Sequence, residues 1–223
     1  MIKHFEMNTK GKDFVVGDIH GCFSKLQEQL WTIGFNEEVD RLFCVGDLID
    51  RGPESYKFEE WLDYPWFNSV RGNHEELLWT AIEGGEQSNA SACHYMNGGS
   101  WLYGLPLVEQ QFYAILCKEL PLAIEIDTPN GLVGIIHAEC PFGDWNKFKE
   151  ALGQPQDEWN KLDAIALWAR TKISSKDESV VKGLHKLYVG HTPVDDIVQL
   201  GNVEYIDTGA VFKGGKFSIV QIN

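Results

Sequence analysis

A chain of 223 residues with 33 acidic against 19 basic side chains, for a net charge of −14, has no basic footprint along which a nucleic-acid backbone could run. The acid is dispersed rather than gathered in a tail, no secretory leader is legible and no apolar run is long enough to span a bilayer, so the expected location is the cytoplasm, with no membrane and no nucleic acid as partner. Cys22, Cys44, Cys93, Cys117 and Cys140 are odd in number and scattered, without a CxxC pair, which fits a reducing compartment and neither a disulfide framework nor a thiolate zinc site.

Three early segments repeat one pattern. DFVVGDIHG leads into a helical stretch at 23–34, RLFCVGDLIDRG into one at 54–62, and WFNSVRGNHE into one at 75–83. Each is an apolar, β-rich run, a Gly-containing polar turn and an amphipathic helix; this is α/β logic, and it sets the polar residues at the carboxyl ends of adjacent strands. Residues 87–105 are mixed, with NGGSWLYG as a Gly-rich loop, and 107–119 show helical spacing before Pro121. LAIEI and LVGIIHA then flank Pro129-Asn130-Gly131, a hairpin signal. Residues 144–170 read as mostly helical, and KLYVGHT, DIVQL, VEYIDTG and KFSIVQI as four short strands, the last pair turning near Gly214-Gly215. With no repeat and no linker, one domain over 1–223 with two β-rich halves is expected.

The ionisable and amide groups at the strand ends are Asp18, His20, Asp47, Asp50, Arg51, Arg71, Asn73, His74, His137 and His191. Asp18 and His20 are two apart, so in extended chain both point the same way and can share an ion. Oxygen and imidazole donors without thiolate suit Mn, Fe or Zn. The ligand candidates Asp18, His20, Asp47, Asn73, His137 and His191 are too many for a single open zinc site, but they fit two divalent ions roughly 3.5–4 Å apart, with Asp47 as the bridge. Such a centre stays net positive and attracts phosphate. Arg51 and Arg71 can then clamp phosphate oxygens, His74 can protonate a leaving oxygen, and Asp50 can hold the other ring nitrogen of His74.

The blocks GDIHG (17–21), GDLIDRG (46–52) and RGNHE (71–75), followed by His137 and GHT (190–192), resemble the metallophosphoesterases of the phosphoprotein phosphatase family. Chain length and the segments YPWFNSVRGNHE, ELPLAIEI, HAECPF and YIDTGAVF resemble in particular its bacteriophage lambda and bacterial subgroup, from about residue 13 to 220. The resemblance implies an α/β (α+β) calcineurin-like metallophosphoesterase fold, a central β-sandwich of two mixed sheets flanked by helices, with two divalent ions. Mn²⁺ is the first choice and Zn²⁺, Fe or Ni²⁺ are alternatives. It puts Asp18, His20 and Asp47 on one ion and Asp47, Asn73, His137 and His191 on the other, and it adds Arg170 as a phosphate-binding residue. It implies a serine/threonine protein phosphatase, with phosphotyrosine as a further substrate, in which a hydroxide held by the two ions attacks phosphorus directly. The rival functions are a hydrolase of diadenosine polyphosphates or other nucleotides and a non-catalytic phosphopeptide-binding scaffold; the scaffold would have lost a ligand or His74, and the sequence has lost neither.

Substrate choice is expected in the loops around 84–106 and 141–180. His4, His94 and His185 read as surface or satisfied core residues, Cys22 and Cys140 as small hydrophobes, and Asp207 as a group hydrogen-bonding backbone near the site. Trp101 and Tyr103 either line a substrate groove or pack in the core.

Overall fold

The computed structural model of the chain describes residues 2–85, 88–154 and 159–223. Its larger sheet has six strands: β1 (Ile2–Phe5), β5 (Ala123–Thr128), β6 (Gly131–Ile136), β7 (Lys186–Val189), β9 (Val203–Tyr205) and β8 (Val198–Leu200), in that spatial order. The smaller sheet sets β10 (Ile219–Gln221) antiparallel against β2 (Asp13–Val16), with β3 (Arg41–Cys44) and β4 (Phe67–Ser69) parallel beyond it. Both sheets mix parallel and antiparallel pairs.

The strands of the smaller sheet are apolar on both faces because both are covered. Val15, Phe43 and Val45 point into a core shared with Ile124, Ile126, Val133, Ile135 and Tyr188 of the larger sheet. Their neighbours Phe14, Val16, Leu42 and Cys44 point the other way, onto Leu26 and Leu30 of α1 (Phe23–Thr32), Phe58 and Trp61 of α2 (Phe58–Leu62), Leu78 of α3 (Asn73–Gly84) and Tyr113 of α5 (Leu107–Glu119). On the far side of the larger sheet, Ala123, Leu187 and Val189 meet Trp145 and Phe148 of α6 (Trp145–Leu152) and Ala166 and Leu167 of α7 (Trp159–Trp168). Each such buried aliphatic or aromatic side chain stabilises the fold by about 1.5–3 kcal/mol, which is why a period of two with no polar face is kept along these strands.

The three strand–turn–helix units expected from the sequence are present, and α5 covers the residues whose spacing predicts it. The β5–β6 hairpin turns at Pro129-Asn130, with Gly131 at φ +120°. Three features differ. Ile2–Phe5 is a strand, paired parallel with β5, although Ile-Lys-His-Phe carries no polar–apolar alternation. Within 87–105 the described residues form α4 (Asn89–Met96), capped by Ser88, whose hydroxyl accepts from the Ser91 N–H, and a 3₁₀ segment at Gly99–Gly104. The last two strands are not a hairpin: β9 pairs with β7 and β8, while β10 belongs to the other sheet. Residues 155–158, inside the expected helical stretch, and 86–87 lie outside the described residues. No helix among the described residues is long and apolar enough to cross a membrane.

Phe43 is fully buried between the sheets and meets Phe5 edge-on, ring centroids 5.0 Å apart. Phe43→Ala is expected to lower folding stability by about 3–5 kcal/mol, read as a lower urea midpoint at unchanged m-value.

Candidate active site

The site is assembled where β2, β3, β6 and β7 end and where α3 begins. Strand pairing brings the ends of β2 and β3 together, and the Asp47 carbonyl then accepts from the N–H groups of Ile19 and His20 at 3.0 and 2.8 Å. The turns are sharp. His20 (φ +44°), Asp47 (+51°), Asp50 (+69°), Arg51 (+67°) and His191 (+66°) all occupy the left-handed region, where a non-glycine residue costs of order 1–3 kcal/mol. Space is equally tight: a Cβ at Gly190 would overlap Asp18 Oδ1, and one at Gly72 would overlap Asp47.

Three histidines share one arrangement. His20 Nδ1 donates to the Ile49 carbonyl at 2.8 Å, His137 Nδ1 to the Val45 carbonyl at 2.8 Å, and His191 Nε2 to the Trp168 carbonyl at 3.2 Å. Burial holds His20 and His191 down at about 3 and lowers His137, so all three are neutral near pH 7. With the outer nitrogen carrying the hydrogen, the inner nitrogen of each ring is an unprotonated lone pair, which in His20 accepts from Arg51 Nη1. Those of His137 and His191 both stand 2.8 Å from Asn73 Oδ1, and that of His137 is 3.4 Å from Asp47 Oδ1. Lone pairs facing oxygens repel unless a cation sits among them.

The carboxylates lead to the same conclusion. Asp18 is buried, accepts from the His191 N–H at 3.1 Å, and has its pKa pushed well above the carboxylate range by burial and by the charges of Asp207 and Asp47. Asp207 accepts from the Gly209 N–H at 2.9 Å, as expected, and burial with the Asp47 charge raises it to about 6. The donor atoms of His20, Asp47 and His74 lie within 4.8 Å of one another, as do those of Asp18, Asp47 and His137, and Asp47 is common to both groups. A divalent cation in such a set relieves the repulsion and completes the lone pairs, so the residues present fit a metal centre.

His74 differs from the other three. Its Nδ1 faces Asp50 Oδ2 at 2.7 Å, a carboxylate rather than a carbonyl, and its Nε2 is 3.9 Å from Asp47 Oδ2. Burial would lower His74, but the Asp47 charge and the Asp50 hydrogen bond outweigh it and raise the imidazole above its ordinary value. His74 therefore holds its second proton to higher pH than the other three.

The arginines divide. Arg51 Nη1 reaches His20 Nε2, and its guanidinium lies over the Phe212 ring at 5.9 Å. Arg170, at the start of α8 (Thr171–Ser175), donates to Thr192 Oγ1 at 3.2 Å and the His191 carbonyl at 3.3 Å, which keeps it beside the cluster. Arg71 is instead engaged by Asp163 Oδ2 at 3.4 Å and lies 3.9 Å from Glu76.

Glu75 stands in the RGNHE block with no function assigned from sequence, yet it is fully buried and accepts from the N–H groups of Asp47 (3.0 Å), Leu48 (2.8 Å) and Gly72 (2.7 Å). It ties the loop after β3 to the start of α3. The legible signal was a glutamate at the third position of a helix, where it returns to cap its own N-terminus. His94 is a satisfied core residue, as expected, but its partner is Asp50. Trp101 packs on Tyr113 and its indole N–H also donates to Asp50, at 2.8 Å. Cys140 is buried, its thiol pushed up to about 12 by burial, while Cys22 is half-buried.

This sandwich, with histidines, carboxylates and an asparagine gathered at its strand ends, is that of a phosphoesterase: the profile of the calcineurin-like phosphoesterase family matches residues 14–209, and the chain belongs to that family. Among curated relatives, it is 36% identical over 214 residues to serine/threonine-protein phosphatase 1 of Salmonella typhimurium, covering 94% of this chain and 91% of that protein. It is 34% identical to serine/threonine-protein phosphatase 2 of Escherichia coli, over 94% of this chain and 92% of that one. A symmetrical bis(5'-nucleosyl)-tetraphosphatase of Methylococcus capsulatus is 27% identical over 72% of this chain and 61% of its own length. The solved structure of a protein serine/threonine phosphatase from Saccharomyces cerevisiae shares the fold, at a TM-score of 0.59 and 18% identity over 99% of this chain and 83% of that one.

Glu75→Ala leaves four buried N–H groups, those of Asp47, Leu48, Ile49 and Gly72, without this acceptor. It is expected to cost on the order of 3 kcal/mol in thermal or urea unfolding, and to weaken divalent-metal binding through the displaced Asp47 loop.

Proposed function

We propose that the protein is a metal-dependent serine/threonine protein phosphatase, hydrolysing phosphomonoesters on phosphorylated proteins or peptides in a reducing cytoplasm. The observation that carries the chemistry is Asp47, common to the donor clusters His20–Asp47–His74 and Asp18–Asp47–His137, beside the bare inner nitrogens of His137 and His191. His74 is left out of the ligand set because its outer partner is the Asp50 carboxylate. Asp18, His20 and Asp47 would hold one divalent ion, and Asp47, Asn73, His137 and His191 a second, with Mn²⁺ the first candidate. Bound there, the ions supply a water acidic enough to attack phosphorus near neutral pH.

The chain's own residues do the rest. Arg51 and Arg170 flank the cluster and bind the non-bridging phosphate oxygens through charge-assisted hydrogen bonds, and Arg71 joins them by exchanging Asp163 for phosphate. Asp50 holds Nδ1–H of His74, so the proton to be delivered is the one on Nε2, which goes to the departing serine or threonine oxygen. Sequence identity favours phosphoprotein over dinucleotide substrates: the protein phosphatases are 34–36% identical along nearly the whole chain, whereas the tetraphosphatases matched over most of it are 27% identical. The fold does not separate them, since the solved structure of a putative diadenosine tetraphosphatase shares it at a TM-score of 0.61.

Metal-free protein titrated with Mn²⁺ is expected to bind about two ions per chain, in keeping with a bridged two-metal site, and to lose turnover on chelation. Full activity at about one ion per chain would remove Asp47 from its bridging role. Phosphoserine and phosphothreonine peptides are expected to turn over with higher kcat/KM than diadenosine tetraphosphate, and the reverse order would select the dinucleotide reading.

His74→Asn is expected to keep its Mn²⁺ and to lose about 10²–10⁴ in kcat on a phosphoserine peptide, with a much smaller loss on p-nitrophenyl phosphate, whose leaving group needs no proton. Equal losses on both substrates would move the acid elsewhere.

A further inference from the structure

Asp50 is a fully buried carboxylate with donors on both oxygens. Oδ2 faces His74. Oδ1 receives the Trp101 indole N–H at 2.8 Å and faces His94 Nε2 at 3.2 Å. The hydrogen bonds from His74 and His94 overcome burial and hold Asp50 at about 2, so it is ionised near neutral pH and can only accept. His94 Nε2 must therefore carry a hydrogen.

The His94 ring is as firmly located as the carboxylate it serves. It is fully buried, its Nδ1 lies 3.1 Å from the Tyr103 hydroxyl, and Gly99 packs so close that a Cβ there would overlap the imidazole. The Gly98 carbonyl accepts from the Arg51 N–H at 3.3 Å, so the segment that carries Trp101 is also fastened to the site loop. Helix α4 and the 3₁₀ segment thus form a wall behind Asp50, made of one imidazole and one indole.

We propose that His94, with Trp101, is a positioning residue for the proton-donating His74, acting through Asp50; this rests on the reading of His74 as the acid. With two donors on Oδ1 the carboxylate cannot rotate, Oδ2 stays on Nδ1 of His74, and Nε2 of His74 stays aimed at the leaving oxygen. His94 touches neither substrate nor metal in this scheme.

The test compares kcat and KM of Mn²⁺-loaded variants on a phosphoserine peptide and on p-nitrophenyl phosphate. His94→Phe keeps a ring and removes the donor; His94→Gln restores an N–H where Nε2 stood; Trp101→Phe removes the other Oδ1 donor from a different segment. His94→Phe and Trp101→Phe are expected each to lose about tenfold more kcat on the peptide than on p-nitrophenyl phosphate, a fraction of a full general-acid contribution, with KM little changed. His94→Gln is expected to recover most of that bias.

Equal losses on both substrates, a change confined to KM, or no rescue by His94→Gln would overturn the proposal. If His94→Phe does not fold, Trp101→Phe and His94→Gln decide it: absence of leaving-group bias in Trp101→Phe, or a bias in His94→Gln as large as in Trp101→Phe, overturns it. His74→Asn measured alongside separates the two levels. A leaving-group bias in His74→Asn with none in the wall variants sinks this proposal alone, whereas no bias in His74→Asn sinks the acid reading and this proposal with it.

Discussion

Asp18, Asp47 and Asp207 crowd together out of water with bare imidazole nitrogens and an amide oxygen pressed among them. Left to themselves these groups repel, and nothing in the hydrophobic effect would gather them. The rest of the molecule can be understood as the apparatus that holds them there. Two sheets bury a common apolar core, and that core fixes where β2, β3, β6 and β7 end. The strand ends then deliver polar side chains to one place with little freedom left to each.

Backbone strain has the same origin. His20, Asp47, Asp50, Arg51 and His191 sit at positive φ, and Gly72 and Gly190 leave room for carboxylates against the backbone. Strained turns of this kind persist only when the surroundings over-determine them. Glu75 is one such determinant, since its single carboxylate gathers N–H groups from the loop after β3 and from the start of α3. The pairing of Asp47's carbonyl with Ile19 and His20 is another. Packing energy of the sandwich is thereby converted into precise placement of a few polar atoms.

Chemical division of labour among the histidines follows from their outer partners. A backbone carbonyl behind His20, His137 and His191 fixes the hydrogen on the outer nitrogen and leaves a neutral ring with an inward lone pair. A carboxylate behind His74 stabilises the charged ring instead. Residue type is the same in all four; the second partner decides whether the imidazole gives a lone pair or a proton.

Much of this was legible in the sequence. The three strand–turn–helix blocks, the hairpin at Pro129-Asn130 and helix α5 follow from short-range periodicity and turn chemistry, and the motifs named the residues that meet at the strand ends. What remained hidden depends on distant pairing. Strand β1 has no alternation and exists because β5 offers it an edge; β10 joins β2 across the whole chain; α4, with little apolar periodicity, is held by packing on its neighbours. Glu75's service to Asp47, the engagement of Arg71 by Asp163, and the convergence of His94 and Trp101 on Asp50 are likewise contacts between remote segments. Sequence by itself determined which chemical groups the protein has and, through local periodicity, the elements that carry them. Only the tertiary structure decided which group faces which, because the hydrogen-bond partner that sets an imidazole's tautomer or a carboxylate's charge is supplied by a part of the chain that local sequence does not see.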